Sequence, residues 1–185
     1  MRGPQAGVRL RYHRVAIALH WVVGLLLIGQ FAFGLWMENV PRNTPARGFW
    51  INQHKSVGLV IGVLIILRIA WRLRHAPPPP LPMPAWQRLA ASANHIGLYV
   101  CMVLMPLSGY LASSFGKYGV KFFGIPLPQW AWESKPVQTF FGTIHGVVAV
   151  TLLVLVALHV AAALKHLLVN RDQVFQRMWP GRRGG

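Results

Sequence analysis

Four long apolar stretches, at about residues 15–37, 55–73, 89–115 and 138–169, take up most of this chain. Each reaches the roughly 20 residues that a helix needs to cross a hydrocarbon core about 30 Å thick, the last two running a little beyond it. A backbone in lipid must satisfy its own hydrogen bonds, so such stretches have to be helical. The expected fold is therefore all-α, an integral membrane four-helix bundle, forming a single domain over residues 1–185. Composition agrees: 54% of the residues are hydrophobic and 12% charged, whereas a soluble domain carries about 25% charged residues. Within these 185 residues no separate soluble catalytic domain is expected.

The connections are residues 38–53, the proline-rich HAPPPPLPMP at 75–84, and 116–137. Prolines end a helix and stiffen the connection after it. Trp36, Trp50, Trp71, Trp86, Trp130 and Trp132 fall near the span ends, where an aromatic belt would place them. The 19 Lys and Arg against 3 Asp and Glu give a net charge of +16, which in a soluble protein would point to nucleic acid. Here the cations gather at the ends of apolar segments, so the expected partner is the lipid bilayer and not nucleic acid. Arg68 lies inside a span. Of the rest, Arg2, Arg9, Arg11, Arg14, Arg72, Arg74, Arg88, Lys165, Arg171, Arg177, Arg182 and Arg183 fall on one side, and Arg42, Arg47, Lys55, Lys117, Lys121 and Lys135 on the other. The richer side is the cytoplasmic one, which puts both termini in the cytoplasm. The first span is too long for the apolar core of a signal peptide and no clear cleavage site comes after it, so it is expected to be retained.

Ionisable groups in hydrocarbon are costly, and histidines there are functional-site candidates. The spans contain His20, His95, His145, His159 and His166, with His54 at the mouth of the second. Any one alone would be an ordinary interhelical hydrogen-bonding residue. As a set they form a pattern. His145 and His159 are 14 residues apart, which returns nearly to the same helix face and separates them by about 21 Å along the axis. His20 is level with His159, and His54 with His145. Two axial imidazoles from facing helices saturate a haem iron, a closed arrangement suited to electron transfer. The competing zinc reading falls short, because each level offers only two of the usual four ligands. The single Cys101 excludes a CxxCH attachment, so two haem b would be held non-covalently. Gly24, Gly58, Gly62, Gly142 and Gly146 would make room for them, or would simply allow close helix packing.

Arg68 lies 14 residues after His54, on the same face but at the inner level. It could pair with a haem propionate, or snorkel to the inner surface. His95 and His166 near the cytoplasmic ends are candidates to bind and protonate a quinone, ubiquinone being the expected substrate, with Asp172 and Arg171 nearby. The alternative is interfacial histidines that bind water or propionates. His13 and His75 sit in basic flanks and are expected to be solvated.

In spacing and order the segments YHRVAIALHW, INQHKSVGLVIGVLIILRIAWRL, LMPLSG, TIHGV and ALHVAAALKH resemble the bacterial di-haem cytochrome b561 family over nearly the whole chain. The resemblance implies haem ligation by His20 with His159 and by His54 with His145, and a multi-pass protein of the bacterial inner membrane. It extends to short stand-alone members that oxidise superoxide on the periplasmic side and reduce ubiquinone; His166 and Arg68 match positions in them, whereas 116–137 is the least matched region. The expected function is transmembrane electron transfer linked to the quinone pool, with superoxide or a periplasmic redox protein as donor. The alternatives are a membrane anchor or cytochrome b subunit of a hydrogenase or dehydrogenase, and a haem-free transporter or structural bundle.

Overall fold

The computed structural model describes residues 11–181 and contains helices α1 (Arg14–Met37), α2 (Pro45–Arg74), α3 (Ala85–Ser114) and α4 (Lys135–Lys165). All four are long and apolar enough to cross a membrane. α1 packs on α2, α2 on α3, and α3 along α4. Val23, Ile61, Ile65, Leu98, Met102, Val148 and Leu152 meet in the bundle core. The outward faces keep Leu25, Ile66, Ile96 and Val150 exposed, where lipid tails take the place of a protein partner.

The second helix begins at Pro45 rather than at residue 55. Thr44 Oγ1 accepts the Arg47 N–H at 3.2 Å, and Pro45 stands at the first helical position, where its missing N–H costs nothing. Arg47 Nη1 then donates to the carbonyls of Met37 and Val40 at 2.7 Å each, closing the end of α1. The connection thus shrinks to residues 38–44, and His54 sits well inside α2. A search for apolar runs misses these first turns because Arg47, Asn52 and Gln53 interrupt the run. In α3, Pro106 packs on Gly62, whose added Cβ would lie 3.2 Å from Pro106 Cβ.

Residues 116–137 hold a small hairpin: β1 (Lys121–Phe122) pairs antiparallel with β2 (Ile125–Pro126). Its turn is Phe123 and Gly124, both at positive φ, as a two-residue hairpin requires. Ser56, fully buried, fastens the hairpin to α2 by accepting the Phe123 N–H at 2.8 Å and donating to the Asn52 carbonyl at 2.8 Å.

At the opposite end the two ends of the described chain meet. Arg11 hydrogen-bonds the Trp179 carbonyl and, at 3.0 Å, that of Gly181. Trp21 Nε1 donates to the Met178 carbonyl at 2.7 Å. The buried Arg177 donates to the Pro79 carbonyl at 2.6 Å, tying in the proline-rich connection. Arg11, Arg14, Arg72, Arg74, Arg88, Lys165, Arg171 and Arg177 mark this face as the cytoplasmic one; Arg2, Arg9, Arg182 and Arg183 lie outside the described residues.

Candidate functional site

α4 runs without a break past both His145 and His159, so their 14-residue separation becomes about 21 Å of axial distance. At the inner level His20 on α1 faces His159, with ring centres 6.0 Å apart and planes at 69°. Two metal–imidazole bonds of about 2 Å each, with about 1 Å more from each nitrogen to its ring centre, span about 6 Å. The spacing therefore fits one iron between the two rings. Arg68 on α2 reaches the same level: Nη2 lies 3.3 Å from His20 Nδ1, and Nη1 donates to the Ala16 carbonyl at 3.2 Å. The guanidinium is turned onto α1 rather than out to the surface.

His95 and His166, grouped by the sequence, have different partners. The His95 ring centre is 5.4 Å from that of His159, so α3 brings a third imidazole to the inner level. The antiparallel run of α3 and α4 causes this, since α3 starts on the face where α4 ends. His166 opens a π-helical turn, His166–Asn170, after α4, and its Nδ1 lies 2.6 Å from Asp172 Oδ2. His13 and His75 are exposed and both stand near the Trp71 ring, His75 stacked on it with ring centres 3.8 Å apart.

At the outer level His54 and His145 line a cavity of about 450 Å³ together with Gly34, Gly58, Gly109 and Gly142. Cofactor pockets run from about 300 to 1,000 Å³. His145 Nδ1 lies 3.0 Å from the Met105 carbonyl and 3.3 Å from Ser108 Oγ. A carbonyl only accepts, so Nδ1 carries the proton and Nε2 keeps the lone pair a metal needs. His54 Nδ1 is buried without a hydrogen-bond partner.

The glycines sort by position. Gly58 and Gly142 line the cavity, Gly62 serves the contact with Pro106, and Gly24 and Gly146 face open space. Gly109 and Gly34 escaped the sequence reading. A Cβ on Gly109 would lie 3.0 Å from His145 Cε1, and one on Gly34 would lie 3.5 Å from His54 Cε1. Their signal exists only once helices are paired. Among the described residues no three or more His, Cys, Asp or Glu converge to hold a bare metal ion. Paired imidazoles flanking a flat macrocycle suit this donor set better than a closed zinc site does.

The prokaryotic cytochrome b561 family model matches residues 11–181. The chain is 32% identical over 174 residues to cytochrome b561 homolog 2 of Escherichia coli (strain K12), covering 91% of this chain and 90% of that one. It is similar to the probable superoxide oxidase CybB of Yersinia pestis, 28% identical over 178 residues, with 94% and 98% of the two chains covered. To cytochrome b562 of Cereibacter sphaeroides it is 28% identical over 171 residues, covering 90% and 94%. With its four membrane-spanning helices and matches that run nearly end to end, the chain belongs to the prokaryotic cytochrome b561 family, electron-transfer proteins of the bacterial inner membrane that use b-type haem.

Proposed function

We propose that this protein oxidises superoxide at its outer face and reduces ubiquinone at its inner face, passing electrons through two b-type haems. The observation that carries the reading is the pair of imidazole levels on α4, each completed by a histidine from another helix. His20 with His159 would hold the inner haem, and His54 with His145 the outer one. Arg68 would supply the inner propionates with a cation. Bound haem would supply a one-electron carrier, held at each level by the two imidazoles.

The rest of the chemistry belongs to the chain. Lys55 lines the outer cavity, and Lys117 and Lys121 stand exposed on the neighbouring segment. Six Lys and Arg stand on the outer side against Glu38 and Glu133, and Glu38 is engaged by Arg42 at 3.8 Å and Arg47 at 3.2 Å, so the outer field is positive and would draw in a small anion. Two superoxide ions give up one electron each and leave as oxygen. At the inner face ubiquinone takes two electrons and two protons, and His166 is the proposed donor of protons. The likeness to the probable superoxide oxidase supports the choice of donor. A second reading, the cytochrome b subunit of a larger complex, draws on exposed Tyr118, Phe123 and Trp132 in the outer segment, which would dock a redox protein.

Rapid mixing of the oxidised holoprotein with superoxide tests the reading. Reduced haem bands within the mixing time, then reoxidation on adding ubiquinone, are expected. Bands that stay oxidised under superoxide but respond to a protein donor would favour the second reading.

A further inference from the structure

Past the last turn of α4 the backbone departs from regular structure in a specific way. His166–Asn170 form a π-helical turn, and Arg171 adopts a left-handed conformation with φ 51°. Such turns inside or at the end of an α-helix concentrate at functional sites. Their effect here is to fold the chain back on itself: the Asp172 N–H bonds the His166 carbonyl at 3.2 Å, and the Asp172 carboxylate reaches the His166 ring.

Both carboxylate oxygens are engaged. Oδ2 lies 2.6 Å from His166 Nδ1, and Oδ1 accepts the Val174 N–H at 2.9 Å. The Asn170 amide, 3.2 Å from the same ring nitrogen, lends the carboxylate a further hydrogen bond. A carboxylate only accepts, so the ring must donate from Nδ1. That fixes the tautomer and leaves Nε2 as the nitrogen that gains and loses protons. Of the three acidic residues in the sequence, Glu38 and Glu133 lie on the outer side, which leaves Asp172 as the acidic side chain of the inner face. The other charged groups on elements packed here are Lys165 at the end of α4, Arg171 at the end of the π turn itself, and Arg177 on the short helix Phe175–Arg177, whose guanidinium reaches the Pro79 carbonyl.

We infer that Asp172 is a positioning residue for quinone reduction: it holds His166 so that Nε2–H, not Nδ1–H, is delivered to a quinone oxygen. This rests on the functional reading above. Each quinone takes two electrons from the family's b-type haem and two protons. For each proton given, the doubly protonated ring loses the Nε2 hydrogen, keeps Nδ1–H on Asp172 and is reprotonated from cytoplasmic water.

The test uses the haem-loaded protein and its Asp172→Asn and Asp172→Glu variants, with ubiquinone in vesicles. Asp172→Asn should lower kcat about 10- to 100-fold, the loss that removing the hydrogen-bond partner of a metal-bound histidine brings, with KM for quinone little changed and the pH profile displaced. Reduction of the haem by the outer donor should keep its rate. Asp172→Glu should recover part of the loss. In protein carrying nitrogen-15 histidine, the Nδ1–H signal of His166 should be fixed in the unsubstituted chain and exchange between tautomers in Asp172→Asn. Unchanged turnover and pH profile in Asp172→Asn would overturn the inference, as would loss of haem in both variants, which would make the role structural. An unsubstituted protein unable to reduce quinone would instead sink the functional reading, with the nitrogen-15 result still deciding whether Asp172 sets the tautomer.

Discussion

Gly109→Ala probes the outer site through a single added atom. The new Cβ would stand 3.0 Å from His145 Cε1 and 3.1 Å from Nδ1, whereas ordinary contact begins at 3.4 Å, so the ring must retreat by about 0.4 Å. Gly109 and Met105 are one turn apart on the same face of α3. A retreat from one is therefore a retreat from the other, and the 3.0 Å bond from Nδ1 to the Met105 carbonyl stretches to about 3.4 Å, where hydrogen bonds are weak. Losing most of a neutral hydrogen bond costs about 1 kcal/mol, and since about 1.4 kcal/mol is tenfold in binding, affinity for the outer haem should fall roughly five-fold. Gly109→Val forces a larger displacement and should empty the outer site. Titrating the haem-free variants with haemin and following the bands of each haem through a redox titration measures this. The inner haem should be untouched in both. If Gly109→Val bound both haems with wild-type affinity and bands, His145 would not stand where an axial ligand of the outer haem has to be.

Three further outcomes are expected. Replacing Lys55, Lys117 and Lys121 by glutamine should slow haem reduction by superoxide and flatten its dependence on ionic strength, with haem content unchanged; stopped-flow mixing over a range of salt concentrations reads this. Burial works to raise the Asp172 carboxyl, but the Val174 N–H and the His166 and Asn170 side chains outweigh it and hold the group below its ordinary 3.8. A depressed carboxylate stabilises the fold fully above its ordinary value and loses that contribution as pH falls through the lowered one. The His166–Asp172 pair should thus persist at pH 5 and above, and carbon-13 titration of the Asp172 carboxyl should show a midpoint below 3.8. Leu152 is fully buried at the centre of the bundle, and Leu152→Ala should cost about 2 kcal/mol or more through the cavity it leaves, seen as a lower thermal midpoint in detergent with both haems still bound.

The spans and the histidine levels were legible in the sequence because both depend on one-dimensional quantities: apolar length and residue separation along a helix. His145 and His159 share a helix, so their geometry comes from counting alone. The pairing of His20 with His159 came from depth, and the two ring centres lie 6.0 Å apart. The features that the sequence left out depend on which helices touch. His95 comes to His159 because α3 lies along α4, and Gly109 clears the His145 ring for the same reason. The first turns of α2 were hidden by Arg47 and Asn52, polar residues that interrupt the apolar run. The link from His166 to Asp172 needed a π turn and a left-handed Arg171, neither of which has a signature in residue type.

The number of haems bound per chain decides whether both histidine levels hold one. A pyridine haemochrome assay against protein concentration should give two haem b per chain for the unsubstituted protein. His54→Ala or His145→Ala should lower this to one and leave the inner haem's potential and bands in place, while His20→Ala should remove the inner haem alone. One haem or none in the unsubstituted protein, or loss of the outer haem in His20→Ala, would contradict the account.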